Sequence, residues 1–136
     1  GSGQIGFEAL SRGAAKAYFV DSSPASIGFV RENLQHTELE ENAVVSNMPN
    51  SAFLRTTPAK FDIAFLDPPY GKKLIQRSLP ALTERMNDSG IIVCEHEREC
   101  RLPESEGGFS MSKVYNYGKI SLTVYRKDGE ADENGE

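Results

Sequence analysis

Phe61-Asp62-Ile63-Ala64-Phe65-Leu66-Asp67-Pro68-Pro69-Tyr70 is the stretch from which the rest of this chain is read. Its first six residues form an apolar run interrupted only by Asp62, of a length that suits a buried strand. The run ends on a carboxylate, two prolines and an aromatic ring. Pro68 and Pro69 fix their own φ angles and bias the residue ahead of each toward extended geometry, so the turn is stiff and the Pro68 carbonyl has a defined direction. Pro69 has no N–H with which to claim that carbonyl. The Pro68 carbonyl and the Asp67 carboxylate are two acceptors for an exocyclic NH2 group. Tyr70 adds a ring face on which a base can stack, a contact worth about 1 to 3 kcal/mol in nucleic-acid systems. Together these make an amino-group clamp: turning both N–H bonds of a base amine toward acceptors draws its lone pair out of the ring and aims it at an electrophile.

Outward from the clamp, apolar runs alternate with helical patterns, which predicts an α/β domain around a largely parallel sheet. Residues 15–21 read as a strand. Ser23-Pro24 then reads as an N-cap with proline at the first helical position, followed by Ile27, Val30 and Leu34 at helical spacing. Val44-Val45 marks a short strand and Phe53-Leu54 a short helix. After the clamp, Ile75, Leu79, Leu82 and Met86 fall at i, i+4, i+7 and i+11. This predicts a helix kinked or split at Pro80 and stopped by Gly90. Ile91 to Cys94 reads as a buried strand. Residues 113–117 and 120–125 read as alternating strands joined at Tyr117-Gly118-Lys119, so the sheet is expected to end in an antiparallel pair. In such a sheet ligands sit at the carboxyl ends of the strands. Asp21 and Asp67 both end strands, and Asp21, with Ser22 beside it, is placed for the hydroxyls of a ribose. The alternative for Asp21 is a helix cap.

The chain resembles a known family at these residues. Asp67-Pro68-Pro69-Tyr70 is similar to the [DNS]-P-P-[YFW] motif of S-adenosylmethionine-dependent amino-methyltransferases of adenine N6, guanine N2, cytosine N4 or glutamine amides. Residues 1–14, Gly-Ser-Gly-Gln-Ile-Gly-Phe-Glu-Ala-Leu-Ser-Arg-Gly-Ala, resemble the cofactor loop and first helix of the bacterial 16S rRNA guanine-N2 methyltransferases called RsmD. Phe19-Val20-Asp21, Glu32-Asn33-Leu34, Glu95-His96-Glu97, Tyr117-Gly118 and Tyr125-Arg126 follow in the family's order, so the resemblance runs to about Lys127. It implies a Rossmann-like class I methyltransferase sheet and S-adenosylmethionine as cofactor. It also implies direct methyl transfer to a clamped base amine, with ribosomal RNA or the assembling small subunit as partner. Asp67, Pro68, Pro69 and Tyr70 would then be catalytic. Gly1, Ser2, Gly3, Asp21, Ser22, Asn47 and Met48 would hold the cofactor. Lys72, Lys73 and Arg77 follow the clamp directly, a position that suits contact with RNA phosphates and equally a plain solvated helix face. Adenine-N6 methylation and a catalytically silent cofactor-fold fragment stay open as alternatives.

Two departures from the family bear on these expectations. Relatives place a strand of the type Val-Leu-Asp-Leu-Phe-Ala before the glycine loop, preceded by an RNA-touching arm. The expectation is therefore a piece of a longer chain whose central strand is missing, with a gap left between that strand's neighbours. Where relatives carry Gly-Asp after the third strand, this chain has Asn47-Met48. The Asn47 amide or a backbone carbonyl is then left to meet the adenine amino group, with Met48 either packing on the ring or serving as an ordinary gap-filler.

Composition sets the outer bounds. A chain of 136 residues with 38% hydrophobic content suits one core. The expected division is a domain over 1–127 and an acidic tail over 128–136. The tail holds five acids and no base, so 15 acids and 15 bases balance in the remainder of a chain whose net charge is −5. Cys94 and Cys100 have no metal-ligand spacing, which predicts neither disulfides nor a metal site and points to the cytoplasm. A monomer is expected. Strand alternation turns His96 away from Glu95 and Glu97, against a metal role. Tyr115, Tyr117 and Tyr125 read as packing residues of late strands.

Overall fold

The computed structural model describes residues 16–23, 43–69 and 73–129. Among them a seven-stranded sheet runs in the order β2-β1-β3-β4-β7-β6-β5. The strands are β1 (Ala17–Asp21), β2 (Ala43–Ser46), β3 (Phe61–Asp67), β4 (Met86–Glu97), β5 (Ser105–Glu106), β6 (Phe109–Tyr117) and β7 (Ile120–Lys127). Two helices accompany them, α1 (Ser51–Thr56) and α2 (Leu74–Thr83). β1 to β4 are mutually parallel, whereas β7 runs antiparallel to β4 and to β6. The expected terminal antiparallel pair is present and is extended by the two residues of β5.

Side-chain alternation splits the core into two layers. On one face Tyr18, Val20, Ala64, Leu66, Ile92, Cys94 and Tyr125 pack with Leu54 of α1 and with Ile75, Leu79 and Leu82 of α2. On the other, Phe19, Ile63, Phe65 and Val93 form a second cluster joined by Leu122 and Val124. β1 and β3 are thus apolar on both faces, as parallel strands covered on both sides require. Each fully buried side chain of this size contributes roughly 1.5 to 3 kcal/mol relative to exposure.

The expected gap in the sheet is not found. β1 pairs directly with β3, from Ala17 opposite Ile63 to Asp21 opposite Asp67. The contact continues at the amino end, where the Asp62 N–H donates to the Lys16 carbonyl at 2.8 Å. Two neighbouring edges of unpaired N–H and C=O groups satisfy each other rather than remain buried without partners.

Two further expectations are corrected after the clamp. α2 ends at Thr83, and neither Met86 nor Gly90 belongs to it. Pro80 lies inside α2 without splitting it. Met86 opens β4 yet is only 5% exposed and joins the cluster with Leu79 and Leu82, so the periodicity identified the burial and not the element. Gly90 sits where β4 folds on itself: Phe61 is level with Met86 but Ile63 with Ile91, a bulge in β4. A Cβ on Gly90 would lie 2.8 Å from the Asn87 carbonyl oxygen and 2.9 Å from the Met86 Cε, so this bulge has room only for glycine. Arg85 closes the turn after α2 and ties it to α1, its Nε donating to the Leu54 carbonyl at 2.6 Å and its Nη2 to the Arg55 carbonyl at 3.0 Å. Asp128, counted above with the tail, is held to the sheet: its N–H donates to the Gly108 carbonyl and its carboxylate accepts from Ser110.

Candidate active site

The four parallel strands bring their carboxyl ends to one rim. In sheet order these ends carry Asn47 and Met48 after β2, Asp21 and Ser22 after β1, Asp67, Pro68 and Pro69 after β3, and Glu95, His96 and Glu97 closing β4. Strands lie about 4.8 Å apart, so the rim spans about 14 Å. Asp21 and Asp67 are direct register partners. The Ser22 N–H donates to the Asp67 carbonyl at 2.9 Å, carrying the pairing one residue beyond the sheet.

Each part of the rim is held by its own local chemistry. Asp21 is buried, and its Oδ1 accepts from the Ser23 N–H at 2.8 Å. This side-chain turn fixes the carboxylate at the strand end. The loop after β2 is braced twice: Ser46 Oγ donates to the Met48 carbonyl at 2.7 Å, and the Asn50 N–H donates to the Tyr18 hydroxyl at 3.2 Å. Tyr18 stacks near Phe53, with ring centroids 6.3 Å apart, and tilts against Phe61 at 5.4 Å. Burial pushes its phenol up, partly offset by the Asn50 N–H. Asn50 also caps α1, its Oδ1 accepting from the Phe53 N–H at 3.0 Å. The loop so held leaves Asn47 and the Met48 thioether exposed at the rim. The sequence reading passed over Tyr18 in this supporting role, whose signal was a single hydroxyl-bearing ring inside a buried strand.

Pro68 and Pro69 open onto a cleft of about 630 Å³, whose other walls include Lys73 and Gln76 of the α2 start, Glu95 and His96 of β4, and Arg101 beyond it. Lys73 reaches this wall through a left-handed turn, φ 53°, that starts α2. Arg77 is exposed one turn along the helix, outside the cleft lining. Asp21, Ser22, Asn47, Met48 and Asp67 likewise lie on the rim and are not among the residues lining this cleft. Gln76 and Arg101 were not singled out in the sequence, since nothing local marks them. Gly1, Ser2, Gly3, Tyr70 and Lys72 lie outside the described residues, as do the helix expected after Pro24 and most of the acidic tail.

His96 is buried with both ring nitrogens engaged, Nδ1 with the Glu97 carbonyl at 2.8 Å and Nε2 with Thr123 Oγ1 at 2.7 Å. Since a carbonyl only accepts, Nδ1 carries a proton. Among the described residues no group of three His, Cys, Asp or Glu is arranged to hold a metal. Burial drives the Cys94 thiol far above its ordinary range. Tyr125 is also buried and donates to the Pro103 carbonyl at 2.6 Å, as a packing residue should. Tyr115 and Tyr117 are not packing residues: they are 42% and 62% exposed on the outer half of β6.

A parallel sheet presenting acidic and amide groups at its carboxyl rim, continued by an antiparallel β7 and β6, is the Rossmann-like class I methyltransferase fold. Among solved structures, a conserved hypothetical protein of Streptococcus pyogenes superposes with a TM-score of 0.76 at 28% identity, covering 97% of this chain and 84% of that one. A candidate methylase of Haemophilus influenzae superposes at 0.68 with 30% identity, covering 93% and 81%. The chain belongs to the family described as Conserved hypothetical protein 95, the RsmD family, which it matches over residues 1–126. Similar curated proteins include YlbH of Bacillus subtilis (strain 168), a candidate rRNA methyltransferase, 36% identical over 95% of this chain and 73% of its own length. The Ribosomal RNA small subunit methyltransferase D of Haemophilus influenzae is 31% identical over 93% of this chain and 67% of its own.

Proposed function

We propose that this chain is an S-adenosylmethionine-dependent methyltransferase that acts on the exocyclic N2 of a guanine in small-subunit ribosomal RNA, in the cytoplasm. The observation that carries the reading is the level placement of Asp21 and Asp67 on adjoining strands, with Pro68 and Pro69 opening from the second onto the cleft. One rim then holds a cofactor side and a substrate side in contact with each other.

The donor set suits the cofactor. Asp21 Oδ1 is engaged by the Ser23 N–H, and among the described residues Oδ2 is the oxygen placed to accept from ribose hydroxyls. Asn47 offers an amide to the adenine amino group, and Met48 a polarizable side chain to the adenine ring. When bound, S-adenosylmethionine supplies an activated methyl group. The chain's own part is orientation. Asp67 and the Pro68 carbonyl accept the two N–H bonds of the base amine, Tyr70 stacks on the base, and Asp67 is the acceptor at hand for the proton that the amine gives up. Holding the nitrogen in line in this way lowers the barrier through proximity. A base inside paired RNA must first be turned out of its stack to enter the cleft.

The test is methyl transfer from labelled S-adenosylmethionine to small ribosomal subunits lacking native methylation, followed by nucleoside analysis. N2-methylguanosine is expected, with the rate falling about 100-fold or more in Asp67→Ala. Recovery of N6-methyladenosine would overturn the choice of base. A cofactor-binding protein that transfers nothing to the subunit would overturn the substrate.

A further inference from the structure

Tyr115 and Tyr117 stand out because the fold leaves them uncovered. From Lys113 to Lys119 every residue is exposed, Val114 at 48%. This segment is the outer half of the β6–β7 hairpin, closed by Gly118 with φ 62°. Lys113, Tyr115 and Tyr117 lie opposite Val124, Leu122 and Ile120, so all six point to the same face of the sheet. Residues i and i+2 of a strand are about 6.7 Å apart, which gives each tyrosine its own ring position.

Charge separates this hairpin from the remainder of the chain. Residues 109–127 carry four bases, Lys113, Lys119, Arg126 and Lys127, and no acid, within a chain of net charge −5. Lys127 lies 3.8 Å from Asp88 and over the Phe109 ring, and Lys113 and Arg126 also have interaction partners in the fold. Lys113 and Lys119 flank the two tyrosines, and Arg98 is tied to the tip by its N–H on the Lys119 carbonyl and its Nη1 on the Gly118 carbonyl. Glu97, level with Ile120 at the base of the tip, and Glu99 line the cleft. The hairpin tip is at the same rim as the clamp, since Ile120 pairs with Glu97 at the end of β4. Three strand spacings, about 14 Å, separate Tyr117 from the strand that carries the clamp.

We propose that the exposed face of the β6–β7 hairpin is a docking platform for the single-stranded RNA segment flanking the methylated base, with Tyr115 and Tyr117 stacking on bases and Lys113, Lys119 and Arg98 facing phosphates. The proposal rests on the reading of the chain as an RNA methyltransferase and adds the surface on which the RNA lies. Aromatic rings interleaved with cations suit a single strand, because every base has a stacking face whatever its sequence. A protein partner that paired its own strand onto β6 would meet the irregularity between Met111 and Lys113, a bulge of the kind that breaks a regular edge.

The experiment uses the full-length protein and measures binding to unmethylated small-subunit RNA separately from methyl transfer. In Tyr115→Ala/Tyr117→Ala, the Kd and the KM for RNA are expected to rise about tenfold or more. The kcat should stay within about twofold and S-adenosylhomocysteine affinity should be unchanged. Tyr115→Phe/Tyr117→Phe keeps the rings and is expected to bind as the parent does. Lys113→Gln/Lys119→Gln should lower the salt dependence of binding by about 1.4 in log–log slope, the value for two phosphate contacts on a single strand. Ultraviolet crosslinking of the unmodified protein to the RNA should mark residues 113–119, which keeps the test open if the alanine pair fails to fold. Unchanged RNA affinity in a folded alanine pair overturns the platform, as does a dimer of the parent that the alanine pair dissociates. A parent that binds RNA through these tyrosines and transfers no methyl group sinks the enzymatic reading and leaves the platform standing.

Discussion

Asp21 and Asp67 occupy equivalent positions on neighbouring strands yet have different surroundings. Asp21 is 6% exposed and spends one oxygen on the Ser23 N–H, whereas Asp67 is half-buried at the mouth of a proline turn. That difference suits Asp21 to holding a ligand's hydroxyls and Asp67 to meeting a reacting amine. Asp21→Asn keeps an amide oxygen for the Ser23 N–H but loses the charge. It is therefore expected to weaken S-adenosylhomocysteine binding about tenfold or more, the usual worth of a hydrogen bond to a charged group, with little change in folding. Isothermal titration calorimetry measures the first and urea unfolding the second; equal affinity in the two proteins would remove Asp21 from the cofactor site. Both aspartates were legible in the sequence because each ends an apolar run, where a carboxylate has no place in the core. Tyr18 was not legible, since its contribution passes through a hydroxyl that reaches Asn50, 32 residues further on. Gln76 and Arg101 were hidden for the same reason: the cleft assembles them from separate elements.

At the scale of elements, the strands were readable wherever burial on both faces makes the chain continuously apolar, as in β1, β3 and the second half of β4. The stretch between Thr83 and Ile91 was not. Met86 continues the helical spacing of Ile75, Leu79 and Leu82, and Gly90 resembles a helix stop, but Arg85 has already turned the chain and the bulge of β4 follows. The burial pattern of a helix and that of a strand arriving on the same core face coincide over so few residues. Gly90→Ala tests the correction. At a helix end with open space this change would be mild, but the added methyl here meets the Asn87 oxygen at 2.8 Å, the Met86 Cε at 2.9 Å and the Asp62 oxygen at 3.3 Å. A loss of about 1 to 3 kcal/mol in urea unfolding is expected. A neutral outcome would place Gly90 elsewhere than in the bulge. The exposure of Tyr115 and Tyr117 was equally hard to foresee: strand alternation says which residues share a face, but whether another layer covers that face is decided by elements distant in sequence.

The whole molecule answers two measurements. Burial holds the Cys94 thiol, the Tyr125 phenol and the Tyr18 phenol above their ordinary ranges, with negative charge on Cys94, Glu106 and Cys100 adding to the effect on Tyr125. A raised value in the folded state means that the unfolded chain loses its protons first. Stability is therefore fully present below the unfolded value, 9.0 for the thiol, and falls as pH rises past it, by up to about 1.4 kcal/mol per pH unit for each such group. Urea unfolding between pH 8 and 10 should show that fall, and Cys94→Ala should flatten its first unit while lowering stability at pH 8. The second measurement addresses the sheet itself. With β1 between β2 and β3, its amides are bonded or shielded on both sides and its side chains are buried in both core layers, so exchange requires the central sheet to open. Amides of residues 18–21 and 63–67 are accordingly expected to exchange with deuterium together, at a rate set by global unfolding. Exposed residues 113–117 of β6, beyond the reach of β5, are expected to exchange many times faster. Fast exchange in β1 alone would mean that β1 and β3 are not partners; the level placement of Asp21 and Asp67, and with it the shared rim from which the function is argued, would then have to be abandoned.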